Sequence, residues 1–195
     1  MKKYRWPIAV AIAVCCVAVF YFYCCMPVTT VILVRHAEKS SEPGNNPSLT
    51  AAGQARAQSL VGVLEQAGVS AVYATQFCRT LQTADPVASD LGLTIQVQTV
   101  PNVALNPSAC DPAVQASVTT HTTFADHVAE FSDRVRQDTG KAVLVVGHSD
   151  TVPQLIEALG VDPAPVIAAN DYDKLFVVSL RSFRTPRLIE ARYGQ

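Results

Sequence analysis

Charge is scarce in this sequence. Only 16% of its 195 residues are Asp, Glu, Lys or Arg, against 49% hydrophobic ones. Positions 7–25, "PIAVAIAVCCVAVFYFYCC", carry none at all. Several chemistries are excluded by missing motifs. There is no Walker A loop and no H-E-x-x-H pair. Cys78 does not head a C-x5-R loop, because Ala84 stands where the arginine belongs. P-loop nucleotide hydrolysis, zincin and cysteine-phosphatase mechanisms therefore lack their residues. Positive charge is not in excess either. Beyond residue 26, twelve basic residues face sixteen acidic ones, a net charge of −4. Nucleic acid is a poor partner for such a domain. No internal repeat or long low-complexity tract is present.

The uncharged run predicts a transmembrane helix. At about 1.5 Å per residue it reaches roughly 28 Å, close to the hydrocarbon thickness of a bilayer. Trp6 on one side and Tyr21 and Tyr23 on the other suit the two interfaces. Lys2, Lys3 and Arg5 precede the run, and no further positive charge comes before Arg35. The positive-inside rule then leaves the N-terminus in the cytoplasm and the rest outside it. A cleaved signal peptide is the competing reading. The run is long for one, and it ends in bulky Phe-Tyr-Cys-Cys where a cleavage site needs small residues. The expected organisation is a membrane anchor over 1–26 and one extracytoplasmic domain over 27–195, periplasmic in a bacterium. Four of the six cysteines fall in the anchor. Cys78 and Cys110 remain, and a disulfide between them or two free thiols are both open readings.

After the anchor, apolar strand patterns alternate with helical ones. Strands are expected at 30–34, 69–75, 93–100, 142–150, 174–180 and 187–193. Helices are expected at 50–67, 80–91 (with Pro86 forcing a kink or restart), 124–139 and 152–159. Residues 40–48 and 101–123 read as loop. The alternation predicts an α/β fold, three layers α/β/α around a mostly parallel central sheet.

In such sheets, ligands bind beyond the carboxyl ends of the strands. "VILV" runs into Arg35-His36, "AVLVV" into Gly147-His148, and "VSAVYAT" leads to Arg79. If the three strands are neighbours, two arginines and two histidines share one rim. Guanidinium forks match phosphate oxygens. A histidine held among them can act as a nucleophile through a neutral ring nitrogen. A second histidine, if protonated, can stabilise the phosphoryl oxygens in the transition state. The arrangement implies an anion site that takes a small phosphorylated substrate.

Four segments, in order, resemble the histidine phosphatase superfamily, the phosphoglycerate-mutase-like fold, over most of residues 30–182. They are "LVRHAEK", "LTAAGQARAQSL", "ATQFCRTLQTADPVASDLGL" and "VLVVGHSDTVPQLIEAL". The first is the Arg-His-Ala-Glu variant of the signature, with Ala37 in place of glycine. The resemblance implies that His36 becomes transiently phosphorylated and that Arg35, Arg79 and His148 grip the phosphoryl group. Water would then release phosphate. It also implies a phosphatase, with the mutase reaction disfavoured by the short chain. No cofactor and no metal are expected, since His121 and His127 lack ligand spacing to each other or to the pocket histidines.

The family usually adds an Asp or Glu that protonates the leaving oxygen. Asp111, in the irregular stretch, is the candidate here. Asp85, Asp90, Asp126, Glu130, Asp133 and Asp138 fall on expected helices. Asp150 lies two residues after the second histidine, and Glu38 reads as a structural partner for a cation. The expected function is a phosphate monoester hydrolase. A phosphohistidine-protein phosphatase and a catalytically silent phosphate-binding module are the alternatives.

Overall fold

The computed structural model describes residues 5–24, 26–41, 46–101, 110, 114, 116–120 and 123–194, without the side chains of 5 and 22–24. Seven strands form one sheet. They are β1 (Thr29–Arg35), β2 (Val69–Ala74), β3 (Ile95–Gln98), β4 (Ala116–Thr119), β5 (Ala142–Gly147), β6 (Lys174–Leu180) and β7 (Arg187–Arg192). Their order is β4-β3-β2-β5-β1-β6-β7. The ladders joining β4, β3, β2, β5 and β1 are parallel, whereas β6 pairs antiparallel with β1 and β7 with β6. The sheet is therefore mixed.

The central strands are apolar at successive positions because both faces of the sheet are covered. Ile32, Val34, Leu144 and Val146 face one way. They meet Leu60 and Leu64 of α2 (Ala51–Leu64) and Leu81, Ala84 and Val87 of α3 (Cys78–Asp90). Val31, Leu33, Val143 and Val145 face the other way. They meet Phe131 and Val135 of α4 (Phe124–Gln137) and Val152, Leu155 and Ile156 of α5 (Thr151–Ala158). That is the expected three-layer arrangement. Thr50 caps α2 by accepting from the Gly53 amide at 3.1 Å, as its sequence position suggested.

Three expectations need correction. The N-terminal segment is helical, α1 (Arg5–Cys24), but among the described residues no helix is long and apolar enough to cross a membrane. The expected transmembrane helix, and the membrane as a partner through it, are therefore withdrawn. Second, α3 runs unbroken through Pro86 and starts two residues earlier than expected. Third, residues 116–119, read as loop, form the edge strand β4. Its side chains are half-buried or exposed, so it lacks the apolar run that marks a central strand.

Candidate active site

β2, β5 and β1 lie side by side and parallel, so their carboxyl ends meet on one rim. Arg35 pairs with Gly147 in register, and the His36 amide extends the ladder to the Gly147 carbonyl at 2.9 Å. His36 and His148 therefore leave adjacent strands at the same level. Their ring centroids are 5.4 Å apart, inclined at 65°. Gly147 permits this close turn into α5. A Cβ there would lie 2.8 Å from Thr151 Oγ1 and 2.9 Å from Val152 Cγ2. Arg79 enters from the first turn of α3, directly after β2.

His36 is 3% exposed. Its Nδ1 lies 2.7 Å from the Ala37 carbonyl oxygen. A carbonyl only accepts, so Nδ1 carries the hydrogen and Nε2 keeps its lone pair. Burial pushes the His36 pKa down to about 3. The Ala37 bond opposes the shift, while the positive charges of Arg79, Arg35 and Lys39 add to it. The ring is neutral at pH 7.

His148 is held through hydroxyls. Thr80 Oγ1 gives its hydrogen to the carbonyls of Phe77 (2.8 Å) and Thr75 (3.0 Å). It must then accept from Thr75 Oγ1 at 2.9 Å. Thr75 Oγ1 in turn accepts from His148 Nε2 at 2.8 Å. Burial, followed by Arg79, His36, Arg35 and His127, holds the His148 pKa well below its ordinary value.

Arg35 donates from Nη1 to the carbonyls of Ala168 (3.0 Å) and Ala169 (2.8 Å), and its guanidinium lies 4.2 Å from the Tyr172 ring centroid. Arg79 lies 4.2 Å from the Phe77 ring centroid. Burial lowers the Arg79 pKa first. Asp150 opposes that shift and Arg35 adds to it. The Nε atoms of both arginines are buried and find no partner among the described residues. Orphaned donors on two guanidiniums beside two imidazoles are what a tetrahedral oxyanion would satisfy.

The acids are placed as follows. Asp111 lies outside the described residues, as does His121. Glu38 makes a bidentate pair with Arg56, at 2.7 Å to Nη2 and 3.0 Å to Nε, and Arg56 Nη1 reaches the carbonyls of Tyr193 and Gly194. The Arg56 bond holds the Glu38 carboxyl below the usual range. It ties the loop after β1 to the end of the chain, the structural role expected for it. Asp126, Glu130 and Asp133 are exposed on α4. Asp138 accepts from Tyr73 Oη at 2.8 Å and Lys141 Nζ at 2.9 Å. Asp150 is exposed and caps the Thr151 amide at 2.9 Å. His127 is buried on α4 between Phe124 and Phe131.

Sequence reasoning missed the 161–173 segment altogether, although it supplies both carbonyls and the ring that fix Arg35. It quoted Thr75, Phe77 and Thr80 inside a motif without giving them work. Cys78 and Cys110, left undecided, are joined as a disulfide. Cys78 also receives Asn46, whose Oδ1 accepts from its amide at 2.7 Å.

Residues 31–104, which carry Arg35, His36 and Arg79, match the family model of the histidine phosphatase superfamily (branch 1). Over that span the chain is similar to the histidine phosphatase superfamily. His148 lies beyond the matched span and is brought in by the fold. Among solved structures, the chain is similar to the ecdysone phosphate phosphatase of Bombyx mori in complex with tungstate. The two are 18% identical, with 83% of this chain and 92% of that one covered and a TM-score of 0.59. It is also similar to the protein histidine phosphatase SixA complexed with tungstate, at 16% identity, 84% and 96% coverage and a TM-score of 0.57. A mycobacterial glucosyl-3-phosphoglycerate phosphatase matches at 13% identity, 86% and 99% coverage and a TM-score of 0.57. At such identities these likenesses speak for the fold. No curated protein matches the sequence.

Proposed function

We propose that this chain hydrolyses phosphate monoesters through a phosphohistidine on His36, without a metal ion. The tautomer of His36 carries the reading. With Nδ1–H locked on Ala37 and the ring uncharged, Nε2 offers a lone pair toward phosphorus. The N–P bond forms as the ester P–O bond breaks, and the leaving oxygen takes up a proton. A water then attacks the phosphohistidine. Its O–P bond forms, the N–P bond breaks, and phosphate leaves with His36 restored. Arg35 and Arg79 hold the equatorial oxygens while charge builds on them, and His148 joins them when its free Nδ1 takes up a proton in answer to that charge.

The domain works outside the cytoplasm in this reading, on extracytoplasmic phosphate esters. The Cys78–Cys110 disulfide supports it, because such bonds persist in oxidising compartments. Thiol alkylation of protein drawn from its native compartment should find both cysteines blocked until a reductant is added. Free thiols there would overturn the location.

The activity is tested with the full chain, an aryl phosphate and EDTA, beside His36→Ala. Turnover by the wild type and a loss of about 1,000-fold or more in the variant are expected. Trapped protein-bound phosphate should be acid-labile and stable in alkali. If neither protein turns over while inorganic phosphate still binds, the binding-module reading replaces this one.

A further inference from the structure

Each half of the pocket contains one arginine, one histidine and one aromatic ring that touches both. Tyr172 lies 4.2 Å from the Arg35 guanidinium and 5.9 Å from the His36 ring. Phe77 lies 4.2 Å from the Arg79 guanidinium and 5.0 Å from the His148 ring, which it meets edge-on at 89°. The two rings come from unrelated places in the chain, one before α3 and one before β6. Neither is a spare core residue, since both are half-buried.

Phe77 also breaks a local rule. It occupies the N-cap position of α3, and its side chain caps nothing. Ser, Thr, Asp and Asn are the residues that stabilise a helix from that position. A residue that forgoes local stabilisation beside a reactive site is a candidate for functional work.

The physical need is clear. Two guanidiniums that grip an anion must be held still while they wait, or ordering them weakens binding. A carboxylate would hold them, but it would occupy the donor fork and cancel the charge the ligand needs. A ring face attracts the cation through its quadrupole, carries no net charge and leaves the in-plane N–H donors free. For Arg35 the remaining ties are two neutral carbonyls.

We propose that Tyr172 and Phe77 are positioning residues, two uncharged braces that each align one arginine and one histidine on the incoming phosphoryl group without neutralising the pocket. The proposal rests on the phosphate-site reading above. It adds that the rings, through Arg35 and Arg79, set oxyanion affinity.

The test is calorimetric titration of inorganic phosphate into the full chain at pH 7, with melting temperature recorded alongside. Tyr172→Leu and Phe77→Leu should each weaken phosphate binding about three- to thirty-fold, the range of a lost cation–ring contact, at nearly unchanged melting temperature. Tyr172→Phe, which keeps the ring, should stay within about two-fold of the wild type. Methionine serves at either position if leucine unfolds the chain, because it fills space without a ring face. The braces are overturned if the Leu or Met variants bind phosphate as tightly as the wild type. They are equally overturned at position 172 if Tyr172→Phe weakens binding as much as Tyr172→Leu. If the wild type binds no phosphate, the phosphatase reading falls and takes the braces with it. Wild-type binding with unaffected variants would sink the braces alone.

Discussion

The two halves of the pocket use the same residue types and hold them differently. In the half built on β1, His36 is tied to a carbonyl and Arg35 to two more. Carbonyls only accept, so every proton there has a fixed place. In the half built on β2, β5 and α3, His148 is tied to a threonine hydroxyl, which both donates and accepts. Arg79 sits one residue from a disulfide and a loop contact from Asn46. The first half is wired to keep one nitrogen lone pair available. The second is wired to adjust to the charge that arrives. The same imidazole chemistry is thus given two roles by its acceptors, not by its pKa, since burial depresses both histidines.

The largest effect should separate the two histidines. His36→Ala is expected to remove essentially all turnover, and His148→Ala to lower kcat about 100-fold while leaving trapped phosphohistidine detectable. Steady-state kinetics and alkaline-quench labelling of the two variants decide this. Equal losses with no trapped intermediate in either would erase the distinction. Gly147→Ala tests the shared scaffold, because its Cβ would press on Thr151 and Val152. Both halves should suffer together, with a fall in thermal stability as well as in activity.

Next in size is the acid response, which both halves share. An ordinary histidine protonates near 6.5, whereas folded His36 resists until about 3. Between those values the unfolded chain binds more protons than the native one. Stability therefore falls as pH drops through that window, by about 1.4 kcal/mol per pH unit for each such histidine. Urea midpoints at pH 7, 6, 5 and 4 should show a gentler decline in His36→Ala than in the wild type. The activity limb belonging to His36 should lie near pH 3, with the rate lost as the Nε2 lone pair is protonated, and not near 6.5. An identical pH slope in wild type and variant would mean that His36 is not held neutral.

The sequence made some of this legible and hid the rest for physical reasons. The central strands and their four polar ends could be read because buried parallel strands leave long β-branched runs. Three such runs ending in Arg-His, Gly-His and a nearby Arg leave few arrangements open. Tyr172 could not be read, because its meaning depends on the chain returning from α5 to lie against Arg35. No periodicity announces that return. Residues 78 and 110 gave no pairing from spacing alone. Only the fold brings their Cα atoms to 5.2 Å. The uncharged N-terminal run misled because the absence of charge is not by itself apolar length, and among the described residues no helix is long and apolar enough to cross a membrane.

The disulfide should affect one half only. Cys110→Ser leaves Arg35, His36 and the 161–173 segment untouched and releases the tie beside Arg79. A loss of about 2–4 kcal/mol in unfolding free energy is expected from opening the covalent loop. Activity should fall by several-fold through a weaker KM, and a reductant should reproduce both changes in the wild type. A kcat loss matching His36→Ala would show that the halves are mechanically one unit.

The smallest effect is the most specific. Thr75→Val keeps the shape of a fully buried side chain and removes the acceptor of His148 Nε2–H. The orphaned donor costs about 1–3 kcal/mol if His148 stays where it is. Its ring is free to choose the other tautomer, so part of that cost is recovered. Turnover should fall roughly three- to ten-fold, and the pH dependence of phosphate binding should move with it, because the hydroxyl no longer fixes which nitrogen takes up a proton. Thr75→Ser restores the hydroxyl and should restore both. If Thr75→Val changes the rate but leaves that pH dependence in place, the hydroxyl positions the ring without governing its proton, and the two halves differ only in packing.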